Sequence, residues 1–113
     1  MLKIYKPTVI IIGSPKTIFY EIFFKSLKIK SYKSPLILIS NLKTLKLEMK
    51  KFNFKKKINS IELNDLNKDK TYNHQINIID VNLENSTDAK KNLIMINNYI
   101  KQCFQIAFKI IKK

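Results

Sequence analysis

Residues 7–23 read PTVIIIGSPKTIFYEIF, an apolar run that is followed by a turn and by a helical pattern. Val9 to Ile12 is a continuous apolar, β-branched run between Pro7 and Gly13. Strands of parallel sheets carry such runs because helices cover both of their faces. Residues 18–27 then place apolar side chains at helical spacing, among them Ile18, Phe19, Ile22, Phe23 and Leu27. The start of the chain is therefore predicted to be a buried parallel strand followed by a helix.

A second strand and helix are predicted directly afterwards. Pro35 introduces the apolar run Leu36–Ile39, and Ser40-Asn41 offers side chains that can cap a helix. The apolar positions that mark one face of this second helix are Leu42, Leu45, Met49 and Phe52. The repetition of the unit favours an α/β protein over an all-helical one.

The second half of the chain predicts two more strands and a long helix. Residues 58–63 indicate a short strand, residues 64–74 a polar loop, and residues 76–81 another strand. Ser86-Thr87-Asp88 is expected to cap the last helix. Its apolar positions are Leu93, Ile96, Ile100, Cys103, Ala107 and Ile110, and they are widened by Phe104, Phe108 and Ile111. So wide an apolar surface is expected to be covered by further protein.

These elements predict the fold class and the region where a ligand would bind. We expect residues 1–113 to form a single α/β domain with a mainly parallel sheet and flanking helices. Ligands of such sheets bind beyond the carboxyl ends of the strands. The segments that matter most are therefore Gly13–Thr17 and Ser40–Asn41.

The chain is strongly basic, but its composition does not indicate a nucleic-acid site. The chain has 113 residues and a net charge of +14, yet its 22 basic residues are all lysine. Lysine, isoleucine and asparagine make up nearly half of the chain, which is typical of an A/T-rich genome and does not require a polyanionic partner. Arginine, which dominates specific contacts to nucleic acids, is absent, so we do not expect a nucleic-acid partner.

The numbers of cysteines and histidines and the length of the apolar runs exclude further kinds of site and of protein. One cysteine and one histidine cannot form a disulfide framework or a cluster of histidine ligands within this chain. Cys103 lies on the apolar face of the last helix and is expected in the core, whereas His74 is expected on the surface. The apolar runs are too short for a membrane span, and we expect a cytoplasmic protein.

The turn Gly13-Ser14-Pro15 is the candidate site nearest to a ligand. A glycine there permits a tight turn, and the free N–H groups of the following helix could face an anion. The spacing is not that of a phosphate-binding P-loop, and a single glycine cannot form a dinucleotide-binding fingerprint. From the residues alone, an ordinary strand-to-helix turn stays open beside an anion-binding one.

The same turn resembles the opening of the 4-hydroxythreonine-4-phosphate dehydrogenase family of pyridoxal phosphate biosynthesis. The family segment is approximately G-[DE]-P-x-G-[IV]-G-x-E, and Gly13, Pro15, Ile18 and Glu21 match it. Ser14 replaces the family's acid, and Thr17 and Phe19 replace glycines. Residues 35–45 also resemble the family's second strand and helix, and residues 98–107 resemble the helix that leads into its G-P-[IV]-x-K segment.

The resemblance implies a specific activity for the whole enzyme. It implies a homodimer with an isocitrate/isopropylmalate-dehydrogenase-like fold that uses NAD and a divalent metal (Zn, Mg or Co) to oxidise 4-hydroxythreonine 4-phosphate. The family's catalytic and metal-binding segments follow the part that this chain resembles. We therefore expect the chain to be an N-terminal portion without dehydrogenase activity of its own.

Two other interpretations stay open. A small basic α/β module could bind RNA or an acidic partner through its lysines. A receiver-like or flavodoxin-like domain is less favoured. Gly13-Ser14 stands where a receiver has paired acids, and residues 14–17 are poorer in Ser, Thr and Gly than a flavin phosphate loop.

Overall fold

The computed structural model describes residues 8–12, 18–29, 35–63, 71–72, 75–84 and 86–111. Within them the chain forms four strands and three helices: β1 (Thr8–Ile11), α1 (Phe19–Ile29), β2 (Leu36–Ser40), α2 (Leu42–Lys51), β3 (Ile58–Ser60), β4 (Ile76–Asp80) and α3 (Ala89–Ile111). The predicted α/β class is confirmed, and every strand pair in the sheet is parallel.

The strands lie in the order β1-β2-β4-β3, so β4 is inserted between β2 and β3. In register, Ile39 pairs with Ile11 on one side and with Ile79 on the other. The middle of the sheet is apolar and fully covered, since Ile37, Leu38 and Ile39 are all buried. This agrees with the continuous apolar runs of the sequence.

The helices cover the sheet from both sides. On one face, Tyr20, Phe23 and Phe24 of α1 and Leu45 and Met49 of α2 share a core with Leu38, Ile76 and Ile78. On the opposite face, Tyr99, Cys103 and Ala107 of α3 pack with Ile39 and Val81. The chain therefore leaves β2 towards one face of the sheet and leaves β4 towards the other.

The described ends of the link from β3 to β4 contact the face of the sheet that carries α3. At its beginning, Ile61 is buried with Ile37 and Ile79. At its end, the backbone of Tyr72 is hydrogen-bonded to the side chain of Asn77, which points to the same face as its register neighbour Ile37. Both described ends of the link therefore lie on the face opposite to α1 and α2, the face that a right-handed crossover requires.

The predicted buried face of α1 is partly wrong. Phe23 is buried as expected, but Ile18 and Ile22 are 71% and 55% exposed. Tyr20 and Phe24 take their place, because the Tyr20 hydroxyl bonds to Ser40 at 2.6 Å and the Phe24 ring stacks on Phe54. The predicted face of α2 is confirmed, with Leu45 and Met49 buried.

Candidate functional site at the carboxyl ends of β2 and β4

A cleft of about 450 Å³ opens beyond the carboxyl ends of β2 and β4. It is lined by Asn41, Leu42, Lys43, Lys46, Asp80, Asn82 and Leu83. The two strands are neighbours whose following segments turn to opposite faces of the sheet. Such a switch point leaves a crevice between the diverging connections, and open α/β sheets bind their ligands there.

Asn41 joins the two strand ends that form the floor of the cleft. It is the N-cap of α2, and its Oδ1 accepts hydrogen bonds from the Thr44 backbone N–H at 3.0 Å and the Thr44 hydroxyl at 2.9 Å. Its Nδ2 donates to the carbonyl of Val81 at 2.9 Å. Asn41 therefore uses its amide to hold α2 against the end of β4, a structural role that agrees with the predicted cap.

Asp80 makes the reciprocal connection from β4 to α2. Its Oδ1 accepts a hydrogen bond from the backbone N–H of Leu42 at 2.8 Å, at the first residue of the helix. A carboxylate is stabilised there by the helix dipole and by the unpaired N–H groups of the first turn. Because the protein's own carboxylate occupies this position, a bound anion has to be held by other groups.

Lys43 and Lys46 are those other groups. Both are exposed, both line the cleft, and they lie three residues apart on the same side of α2. Asn82 and Leu83 close the opposite wall, and both follow β4. The cleft is thus lined by two ammonium groups from α2 and by a carboxylate and an amide from the end of β4. This arrangement suits a small molecule that carries an anionic group and a hydrogen-bond donor or a cation.

Behind the cleft, Ser40 joins the two helical layers. Its hydroxyl lies 2.6 Å from the Tyr20 hydroxyl, and it accepts a longer hydrogen bond of 3.5 Å from the Tyr99 hydroxyl. Burial raises the pKa of both tyrosines above the ordinary value of 10.0, and the hydrogen bond with Ser40 offsets part of the effect. These hydroxyls stay protonated at neutral pH and act as fixed hydrogen-bonding groups of the core.

Cys103 packs on the same side of the sheet as Tyr99 and is fully buried. Burial raises the pKa of its thiol to about 11, while a hydrogen bond with Tyr99 acts in the opposite direction. A protonated thiol without access to solvent is a poor nucleophile. The prediction that Cys103 belongs to the core is confirmed.

The residues singled out from the sequence fall partly outside this region. Gly13, Ser14 and Pro15 lie outside the described residues, and so does His74. Of the residues that match the family segment, Ile18 is exposed and Glu21 pairs with Lys25 at 3.1 Å on the surface of α1. Of the predicted segment Ser40–Asn41, Asn41 lines the cleft, whereas Ser40 is buried behind it.

Sequence reasoning missed Asp80 and Asn82. Both stand at the end of an apolar strand, which is the one feature that could have drawn attention to them. Their connection with α2 depends on β4 lying next to β2, and the sequence does not give the order of strands.

The described residues do not fit the metal and nucleotide that the resemblance implies. In the ranges that the structure describes, no three His, Cys, Asp or Glu side chains come together as metal ligands. The single glycine of the chain also cannot supply a glycine-rich dinucleotide loop. These residues therefore support no reaction step through a metal or a nucleotide.

Two further observations concern the molecule as a whole. Among the described helices, none combines the length and the apolar composition needed to cross a bilayer. The sequence matches no protein-family model, and a search of curated proteins finds no match. The resemblance of the first turn to the dehydrogenase family therefore rests on the matching residues alone.

Proposed function

We propose that the cleft between β2 and β4 binds a phosphorylated amino acid, as part of an NAD-dependent dehydrogenase that oxidises 4-hydroxythreonine 4-phosphate in pyridoxal phosphate biosynthesis. The observation that carries the proposal is the distribution of charge around the switch point. Lys43 and Lys46 line the cleft from α2, and Asp80 and Asn82 line it from the end of β4.

The chemistry of such a substrate complements these side chains. A phosphate monoester carries close to two negative charges at neutral pH, and two lysines can neutralise them. The substrate ammonium group or hydroxyl can donate to Asp80, whose carboxylate has more acceptor positions than the one used by Leu42. Asn41 keeps the wall in place and is a positioning residue.

The dehydrogenase part of the proposal is supported by the match at Gly13, Pro15, Ile18 and Glu21 and by the parallel α/β sheet. In the family, catalytic and metal-binding segments follow the region that this chain resembles. The 113-residue chain is therefore expected to bind the phosphorylated substrate without oxidising it. The homodimer of the family belongs to the same proposal.

The test is a titration of the 113-residue chain with 4-hydroxythreonine 4-phosphate, followed by isothermal calorimetry or by amide chemical shifts. Threonine and inorganic phosphate serve as the two halves of the ligand. We expect the phosphorylated amino acid to bind about tenfold more tightly than either half, since both walls of the cleft then contribute. Lys43→Gln, Lys46→Gln and Asp80→Asn should each weaken it.

A matched control is Lys109→Gln, which removes the same charge from the exposed surface of α3 on the opposite face of the sheet. Equal weakening by Lys109→Gln and Lys43→Gln would mean that only the general positive charge attracts the ligand, and the proposed site would be wrong. Formation of NADH by the purified chain with metal and substrate would contradict the proposal that this chain binds the substrate without oxidising it.

The second candidate is a basic binding module, and the excess of 22 lysines over 8 acids favours it. Its partner would be RNA or an acidic protein. Binding to RNA should then weaken steeply as salt rises, because each neutralised phosphate releases counterions. Binding to RNA of one sequence or shape with retained affinity near physiological salt would favour this candidate over the dehydrogenase.

A further inference from the structure

The helix α3 carries a second apolar face that is largely exposed. The residues Leu93, Ile100, Phe104, Phe108 and Ile111 follow one another in steps of three, four or seven, which places them on one side of the helix. We call this set the α3 stripe. Leu93, Phe104, Phe108 and Ile111 are 48% to 70% exposed, while Ile100 is half-buried.

The α3 stripe lies beside the packed face of the helix. Tyr99, Cys103 and Ala107 are buried against the sheet, and Ile106 reaches the apolar cluster formed with Ile61 and Ile79 near β3 and β4. The stripe occupies the other flank of α3. Ile100 also packs against this core, but Phe104 and Phe108 are not part of it and can be altered without opening it.

So large an apolar surface is costly when it faces water. Phe104, Phe108 and Ile111 lie on successive turns and form an exposed apolar patch, and such patches mark interaction sites in soluble proteins. Aromatic residues at the centre of a patch contribute most of the free energy of binding. Phe104 and Phe108 hold that position in the α3 stripe.

The charges of α3 indicate what kind of partner fits. The helix has four lysines (Lys90, Lys91, Lys101 and Lys109) and no acidic residue. Lys90 and Lys101 are exposed, and each precedes a stripe residue by three positions, so they border the stripe on the same flank. A second copy of α3 would bring lysine against lysine with no acid to pair with either.

We propose that the α3 stripe is the docking surface for an acidic amphipathic helix of another protein. Its apolar side chains would cover Phe104 and Phe108, and its carboxylates would pair with Lys90 and Lys101. The pairing of opposite charges at the rim gives orientation and speeds association, while the apolar centre supplies the affinity. The proposal does not depend on the substrate cleft, which lies at the ends of β2 and β4.

The probe is a synthetic amphipathic helix of about 21 residues, long enough to follow the whole stripe. It carries leucines on one face and glutamates along its border. One reference peptide has lysines in place of the glutamates, and another has the same acidic composition in scrambled order. Fluorescence anisotropy of the labelled peptides against the 113-residue chain measures the affinity.

We expect the acidic amphipathic peptide to bind with an affinity in the micromolar range, about tenfold more tightly than the scrambled peptide. The double variant Phe104→Gln, Phe108→Gln should reduce this affinity by about tenfold, and Lys101→Glu by several-fold. The matched controls are Leu47→Gln and Lys50→Glu on α2, since Leu47 is similarly exposed at 61%. Both controls should leave the affinity unchanged.

Four results would overturn the proposal. Equal binding of the scrambled peptide would show that net charge alone attracts the peptide. Equal binding of the lysine peptide would show that Lys90 and Lys101 do not pair with carboxylates of the partner. A dimer in sedimentation that the double variant abolishes would assign the stripe to a second copy. Stripe-dependent binding to anionic phosphatidylserine vesicles, without binding of the acidic peptide, would assign it to a membrane surface.

Discussion

At the scale of single residues, Asn77 is the most constrained side chain of the sheet. It is fully buried in β4, and its Nδ2 donates to the carbonyls of Leu36 and Tyr72 at 3.0 and 2.9 Å. Its Oδ1 accepts from Asn59 Nδ2 and from the Tyr72 backbone, both at 3.0 Å. Each hydrogen-bonding position of the amide is thus used, and Asn77 ties the backbone of Tyr72 to the sheet.

Replacing Asn77 by leucine keeps the approximate size but removes all four hydrogen bonds that the amide makes. Each buried polar group that loses its partner costs about 1 to 3 kcal/mol, so we expect Asn77→Leu to lower the free energy of unfolding by about 3 kcal/mol or more. Urea denaturation followed by circular dichroism measures the change. Asn98→Leu, at an exposed position of α3, should change it by about 0.5 kcal/mol or less.

The buried thiol of Cys103 predicts a loss of stability in alkali. In the unfolded chain the thiol ionises near its ordinary pKa of 9.0, whereas in the folded protein its pKa is raised to about 11. The raised pKa contributes stability that is present below pH 9.0 and is lost as the pH rises towards 11. Tyr20 and Tyr99, whose pKa values are also raised, act in the same direction.

The measurement is the unfolding free energy of the protein and of Cys103→Ala at neutral pH and at about pH 10, where the unfolded thiol is ionised. The variant should be less stable overall, because it leaves a small cavity, but it should lose less stability on the change to alkali. An identical loss in both proteins would show that the thiol does not contribute.

At the scale of elements, the end of α2 shows how a chain with one glycine closes a helix. Asn53 has a positive φ of 51°. The Phe54 N–H bonds to the Met49 carbonyl at 2.8 Å, and the Asn53 N–H bonds to the Lys50 carbonyl at 3.2 Å. These two bonds form a Schellman motif, in which Asn takes the left-handed position usually given to glycine.

The left-handed conformation predicts opposite effects of two substitutions at Asn53. Ala is disfavoured there by the contact of its Cβ with the backbone, so Asn53→Ala should destabilise the protein by about 1 kcal/mol. Asn53→Gly should be neutral or stabilising, since glycine adopts positive φ without that contact. Thermal unfolding of the two variants gives the comparison, and a larger loss for glycine than for alanine would contradict the explanation.

Much of the element structure could be predicted from the sequence, because local patterns determine it. The four apolar runs each became a strand, Asn41 caps α2, and Asp88 caps α3 by accepting from Lys90 N–H at 2.9 Å. The face of α1 could not be predicted as well. Both of its sides are apolar, and only the contacts of Tyr20 with Ser40 and of Phe24 with Phe54 decide which one is buried.

One side of the candidate site could be predicted from the sequence and the other could not, because the second side depends on packing between distant segments. Ser40–Asn41 follows a recognisable strand and caps a recognisable helix, so its position could be predicted from the sequence. Asp80 belongs to the site because β4 lies between β2 and β3, a choice that depends on packing across the whole sheet. No pattern local to residues 76–82 contains that information.

At the scale of the whole molecule, the charge of +14 predicts that salt stabilises the fold. A compact chain with so many like charges repels itself, and ions screen this repulsion. We expect the melting temperature to rise by about 3 °C or more when sodium chloride is raised from about 20 mM to about 300 mM. Differential scanning fluorimetry measures the shift.

A variant separates this effect from a general action of salt. Lys55 and Lys57 are exposed and flank Lys56 in the densest run of charge. Lys55→Glu together with Lys57→Glu should raise the melting temperature at low salt and reduce the salt-dependent shift. If the shift stays the same, repulsion among the lysines is not its cause.

The position of β4 also governs the order in which the molecule can be assembled. β1 and β2 are adjacent in the sheet and in the chain, so they can pair as soon as both have left the ribosome. β3 is different, because its partner among the described strands is β4, which is synthesised later. Until residue 80 emerges, Ile58–Ser60 has no strand to join among those described, and β2 keeps an open edge. The nascent chain thus passes through a stage in which β2 and β3 each have an unpaired edge that only β4 pairs with among the described strands.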